Sequence, residues 1–313
     1  MLEFNNYYIQ DQENLTDLFT NIFVIIDDIY NEIIPITVSN RRNIKDSKLS
    51  DSEIITISIV GELLTIDSEK AFFSLLKREY KNLFPKIGDR TRFNRTKRNL
   101  YWVISKIREH ISLFMQSYSN NIRIVDSMPI PVCEFGRAHF SKCFKGEASY
   151  GRCPSKKQTY FGFKFHALTT IDGFLSDYII TPANVDDRNA VWDLCDKYKS
   201  ISIIGDKGYV NKRLTPELKV EKDINLLFLK RGNSKDNYPK DIRQLIFKAR
   251  RRIETSFSQL AEQLNLNKVK SKSMLGFITR TSIKVLAHNI SFLINKLMGN
   301  EDSISKIKRL VFG

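Results

Sequence analysis

Between residues 12 and 36, apolar side chains recur at Leu15, Leu18, Phe19, Ile22, Phe23, Ile26 and Ile29. Steps of three and four put them on one face of a helix. Pro35 and a polar linker over residues 37–50 follow. Ser50 and Asp51, residue types that cap helix N-termini, then open a second helix through Ile54, Ile55, Ile59, Leu63 and Leu64. A third helix is expected over about 68–80 and a fourth from Asp89 to Tyr118, with Pro85 and Gly88 breaking the gap. Residues 1–120 therefore read as all-helical.

The pattern changes at residue 121. NIRIVDSMPIPV predicts a strand that ends at its prolines. Residues 160–170 and 173–183 alternate around Ile171-Asp172-Gly173, and Asp-Gly between β-rich runs predicts a hairpin. Residues 187–199 read as a helix, and ISIIGD (201–206) and INLLFLKR (224–231) as short buried strands. A long helix is expected over 239–264, with an apolar stripe at Leu245, Ala249, Ile253, Phe257, Leu260 and Leu264, and another over 276–298. The order defines an α/β domain over 121–265 with a mixed sheet, an antiparallel hairpin beside parallel central strands. A helical extension over 266–313 follows. Trp102 and Trp192 read as core.

Composition changes this picture in one respect. The chain has 50 Lys and Arg against 35 Asp and Glu, a net +15. Residues 1–120 are neutral as a whole, with 16 of each sign, so 121–313 carry the excess. Within the neutral part, however, residues 70–108 hold 12 basic and 2 acidic side chains. Such clustering points to a polyanionic partner, nucleic acid before an anionic membrane. The cysteines, Cys133, Cys143, Cys153 and Cys195, form no CxxC pair, which weighs against zinc and a disulfide framework and suits a reducing cytosol. No signal-like leader or uncharged apolar span is read, so no membrane is expected.

Three carboxylates stand where chemistry would use them. Asp126 follows Ile122, Ile124 and Val125, and Asp206 terminates the buried run 201–205. Sites in open α/β sheets form beyond the carboxyl ends of central strands. Glu254 lies one position off the apolar stripe of the long helix, bordering its buried face. Each has an ordinary reading as well. Asp126 and Asp206 could be turn residues, and Glu254 could pair with Arg250 or Arg251. Together, two strand-end aspartates and a glutamate from a helix could cradle two Mg²⁺ ions about 3.5–4 Å apart, the arrangement that aligns a nucleophile and stabilises a leaving oxygen in phosphodiester cleavage.

The segments Ile124-Val125-Asp126-Ser127-Met128-Pro129, Ile204-Gly205-Asp206-Lys207-Gly208-Tyr209 and Arg252-Ile253-Glu254-Thr255-Ser256-Phe257 resemble the three catalytic blocks of DDE transposases from bacterial insertion sequences. The closest resemblance is to insertion-sequence family 982, and Leu49–Glu53, Phe84–Phe93 and Tyr160–His166 extend it over most of the chain. It implies an RNase H-like core in which Asp126, Asp206 and Glu254 hold two Mg²⁺ ions, with Mn²⁺ as a substitute. It also implies DNA partners (the terminal inverted repeats of an element and its target), assembly as a homodimer on DNA, and a place in the bacterial cytosol. Related enzymes set Tyr, Arg, Glu and Lys around the glutamate. Here Arg250 and Glu254 fit, and Phe247 and Ala261 replace the other two.

Three basic surfaces complete the reading. Arg90, Arg92, Arg95, Lys97 and Arg98 open the fourth helix and are expected to meet phosphate; residues 1–120 are expected to bind DNA alone. Lys207, Arg250 and Arg251 flank the carboxylates. Residues 136–164, with seven basic side chains and one acidic, include Lys156 and Lys157. Their first part, 136–158, reads as a long DNA-facing loop. His166 reads as a packed strand residue more than a catalyst. Three functions remain open on the residues: a transposase, another nuclease or resolvase on the same fold, and a non-catalytic DNA-binding descendant. The helical region and the complete triad favour the first.

Overall fold

The computed structural model describes residues 14–41, 44, 46–117, 120–153, 157–209, 214–228, 238–300 and 303–312. The chain forms two compact units, one of residues 1–113, 263–266 and 270–313 and the other of 114–262 and 267–269.

The first unit is helical. It contains α1 (Leu15–Ile33), α2 (Ile36–Ser39), α3 (Asp51–Leu63), α4 (Glu69–Glu79), α5 (Arg90–Asn99) and most of α6 (Tyr101–Ser117). The expected fourth helix is thus two, α5 and α6, meeting at Leu100, and the expected linker contains the single turn α2. Ser50 caps α3 in a reciprocal box with Glu53. Almost every position of α3 is buried, from Ile54 and Ile55 to Val60 and Leu63. A helix apolar on all sides needs neighbours on all sides. α1 and α5 pack against it, and so does α10 (Met274–Leu297), from the far end of the chain. Gly61 is required there, because a Cβ would lie 2.7 Å from the Phe72 ring of α4. The polar stretch before α3 is pinned by Arg41, whose guanidinium pairs with the buried Asp51 at 2.5 and 2.6 Å, and by a 2.8 Å bond from the Tyr30 hydroxyl to the same carboxylate. Within α10 the buried Lys284 ammonium is satisfied by Glu62 and the Leu264 carbonyl. A short α11 (Arg309–Phe312) ends the unit. Trp102, expected in the core, is 44% exposed.

The second unit is built on a mixed sheet. Its strands are β1 (Ile122–Cys133), β2 (Ser149–Cys153), β3 (Gln158–Thr169), β4 (Leu175–Pro182), β5 (Ser202–Gly205) and β6 (Asn225–Phe228). β3 pairs antiparallel with β1, and β1, β5 and β6 run parallel. On its other edge β3 takes β2 along its first residues and β4 along the rest. The expected hairpin is β3–β4, with Gly173 at φ +93° in its turn. α7 (Asp187–Leu194) and α8 (Leu214–Lys222) cover one face. Val191, Leu194 and Leu218 pack there with Val125, Leu168, Ile203 and Leu226. α9 (Lys240–Ser258) covers the other, where Phe257 meets Phe165 edge-on at 6.2 Å. The Ser256 hydroxyl donates to the Gly173 carbonyl at 2.8 Å.

Several expectations need correction. β1 does not stop at its prolines but runs through Pro129 and Pro131. Its pairing with β5 ends at Ile124, while pairing with β3 continues past Pro131. The two prolines, spaced by two, point their missing N–H at the edge that β5 has left, where no ladder bond is lost. The expected loop over 136–158 contains a 3₁₀ helix, Phe135–Phe140, and β2. The helix after β4 ends at Leu194, earlier than 199. The apolar stripe of α9 uses Ile246, while Leu245 is exposed. The last turn before Leu264 is a π-helix over Gln259–Gln263.

Candidate active site

The geometry of the carboxylates follows from the sheet. β1 and β5 are adjacent and parallel with Ile124 opposite Ile204, so Asp126 and Asp206 fall side by side two residues further on. Side chains alternate across a sheet, so both lie on the face that carries Ile124 and Ile204, the one covered by α9. Asp206 terminates its strand as expected. Asp126 does not, because β1 continues alongside β3.

Asp126 is therefore more enclosed than a strand-end residue. Its carboxylate accepts a 2.8 Å bond from the Ser127 N–H. Burial pushes this carboxyl up to about 6, and the charges of Asp206 and Asp187 add to the rise. The Ser127 N–H and the Arg250 guanidinium oppose it. Asp206 is partly open, its side chain 39% exposed. Glu254 is 58% exposed, so it does not border the core as expected; Ile253 beside it fills that place. Arg250 lies between the two, one nitrogen 3.6 Å from Asp206 and another 3.7 Å from Glu254. It brings α9 to the strand ends as a shared counter-charge.

A second polar group sits behind Asp126, on the α7 face, and the sequence reading missed it. Asp187, in the first turn of α7, takes a 2.9 Å contact from the Lys164 ammonium and a 3.2 Å bond from the Ser127 hydroxyl. His166 is fully buried, with Nε2 2.9 Å from the Thr181 hydroxyl and Nδ1 3.8 Å from Asp187. Burial drives its imidazole down to about 4, against the pull of Asp187. It is a neutral, packed residue. The Tyr209 hydroxyl is buried and makes no hydrogen bond of full geometry among the described residues; burial together with the charges of Asp126, Asp187 and Asp206 raises its pKa well above the phenol range, opposed by the nearby Ser127 side chain.

In kind, these donors suit a hard divalent cation. All are carboxylate oxygens, they repel one another, and a guanidinium already stands among them. Among the described residues, however, no three His, Cys, Asp or Glu side chains converge closely enough to hold a metal as they stand.

The basic residues are scattered differently from expectation. Arg90, Arg92 and Arg95 are exposed on α5 and Arg98 is partly exposed. Lys97 is turned inward and buried in a pair with Glu69, which takes it off the surface expected to meet phosphate. Arg92 also donates to the Asp46 carbonyl at 3.0 Å. Arg251 is exposed beside the site, and Lys157 is exposed at φ +49°. Lys156 lies outside the described residues, as do the side chain of Lys207 and positions 229–231 of the last expected strand.

A family model for the transposase DDE domain matches residues 116–274, from the end of α6 to the start of α10, half of the chain. The chain belongs to the transposase DDE domain family. Asp126, Asp206 and Glu254 all fall within the matched segment. Such domains generally use divalent metal ions, and the family implies DNA as a partner. Nothing among curated proteins or among solved structures matches the chain. No helix of the described residues is long and apolar enough to cross a membrane.

Proposed function

We propose that this transposase cuts DNA at the ends of its own element and transfers the freed strands to a target, using Asp126, Asp206 and Glu254 as the metal-holding triad of an RNase H-like core. The observation that carries this is the placement of two aspartates side by side on adjacent parallel strands, with the glutamate's helix drawn to them through Arg250, inside the segment that matches the family.

Two divalent cations, Mg²⁺ or Mn²⁺, would supply nucleophile alignment and leaving-group stabilisation when bound. The chain's own residues do the rest. Asp126, whose carboxyl is raised by burial and by the charges of Asp206 and Asp187, would be one of the carboxylates holding the cations. Arg250 releases Asp206 and Glu254 and is left free to face a phosphate, for which a guanidinium is suited. Lys164 and Ser127 fix Asp187 so that the β1–α7 junction does not shift when charge enters the site. The helical unit, with its basic α5, holds DNA. Kinship to insertion-sequence family 982, a bacterial cytosolic setting and a homodimer on DNA complete the reading.

The test is cleavage of duplexes carrying the ends of the element, with Mg²⁺ or with chelator. Asp126→Asn, Asp206→Asn and Glu254→Gln are each expected to abolish cleavage and to retain DNA binding, since an amide keeps shape but ligates poorly. Full cleavage by any one of them removes that residue from the triad. Binding without cleavage by the wild type under all metals would favour a non-catalytic DNA-binding descendant.

A further inference from the structure

The helical unit carries a groove of about 450 Å³ that the carboxylate site does not use. One wall comes from α4 and α5, with Lys70, Arg90 and Arg98. The other comes from residues 270–273 and the first turn of α10, with Lys270 and Lys272. Seven basic side chains line it against two acidic ones.

Part of that charge is spent internally. Lys97 is held by Glu69, and Arg280 by Glu62 and Asp67. Lys270 lies 3.4 Å from Asp67, and Arg90 is 3.8 Å from Glu69. Lys70, Arg98 and Lys272 are in no ion pair among the described residues. Three uncompensated cations gathered in a concavity repel one another and favour a polyanion. The backbone is arranged for their approach. The Ser271 hydroxyl donates to the Ser273 carbonyl at 3.0 Å, fixing the turn that carries both lysines. A Cβ on Gly276 would lie 2.7 Å from the Ser271 hydroxyl and 3.1 Å from the Ser273 hydroxyl, so glycine lets the turn close over the start of α10.

We propose that this groove grips the phosphodiester backbone of duplex DNA, with Lys70, Arg98 and Lys272 as its phosphate contacts; this rests on the reading of the chain as a DNA-cutting transposase. The contacts are charge on phosphate, so the groove positions the duplex and carries no sequence information. Half of it comes from beyond residue 265, which a reading confined to α5 does not reach.

The experiment uses the full-length chain and fluorescent duplexes of unrelated sequence, titrated at several salt concentrations. Lys70→Glu and Lys272→Glu alter exposed positions, so each is expected to melt with the wild type. Each should weaken all duplexes alike, by roughly tenfold at low salt, and flatten the log affinity against log salt slope by about one unit. Lys306→Glu, at an exposed lysine outside both the groove and the 70–108 cluster, serves as the control and should change little. If wild type binds DNA and both groove variants bind with its affinity and slope, the groove proposal falls and the transposase reading stands. An equal loss from Lys306→Glu would also overturn it, since net charge alone would then explain the effect. A wild type that neither binds nor cleaves DNA would remove both readings.

Discussion

Asp126 states the chemistry of the site most directly. Its carboxyl stands near 6 in the folded chain, above the roughly 3.9 of an unfolded aspartate. Below about pH 4 both states hold the proton and it contributes nothing. Between about 4 and 6 the unfolded chain loses a proton that the folded chain keeps, so stability falls as pH rises. Above 6 the full penalty remains, no more than roughly 3 kcal/mol for two units. Without metal, Asp126→Asn is therefore expected to be as stable as wild type or more so at pH 8, with the difference fading toward pH 4; urea melts at both values check this. Tyr209 offers a second test. Its buried hydroxyl makes no hydrogen bond of full geometry among the described residues, although the Ser127 side chain is near, so Tyr209→Phe should leave the melting temperature unchanged or raised. A clear loss would mean that the hydroxyl is bonded in solution. At this scale the sequence was informative where a carboxylate closes an apolar run, as at Asp206. It was silent on Asp187, because an Asp-Asp pair before a helix reads as a cap. Its partners Ser127 and Lys164 lie 60 and 23 residues away in the chain.

Elements whose cause is local were legible. Ser50 and Glu53 announce α3, Asp172-Gly173 announces the β3–β4 turn, and β5 and β6 each begin one residue after the start of the expected run. Elements whose cause is a neighbour were not. β1 outlasts its prolines because β3 pairs it on the other edge, and β2 exists because β3 offers it an edge. At the start of α9 Leu245 and Ile246 are equally apolar, and only packing chooses Ile246 for the buried stripe. Gly162 exposes the same dependence. It falls within the expected strand 160–170, where nothing in the sequence says why glycine is needed; on β3 its Cβ would stand 2.2 Å from the Ile130 carbonyl and 3.0 Å from the Pro131 Cα. Gly162→Ala should therefore force β1 and β3 apart and destabilise by at least about 1–3 kcal/mol, as overpacking does. A circular-dichroism melt checks it, and a variant as stable as wild type would show that the strands give way freely.

For the whole molecule, the helical unit draws on both ends of the chain. α3 is buried on nearly every side and packs against α10, so residues 1–120 alone would leave that surface in water. The isolated fragment is thus expected to aggregate or to melt without cooperativity, contrary to the idea that it binds DNA by itself. Light scattering and circular dichroism decide this, and a soluble, cooperatively folded fragment would show that α10 is dispensable. The +15 charge and the clustering in 70–108 pointed to a polyanion from sequence alone, but which cations are free emerged only when Lys97 was found paired with Glu69. The central claim is that Asp126, Asp206 and Glu254 hold divalent metal. A cation that binds the folded site and not the unfolded chain stabilises the fold by mass action. The most direct measurement is a thermal melt of wild type and of the Asp126→Asn, Asp206→Asn, Glu254→Gln triple variant, titrated with Mg²⁺ and Mn²⁺ at constant ionic strength. The account predicts a rising melting temperature for wild type and none for the variant; an equal shift in both would place the metal elsewhere and contradict the claim.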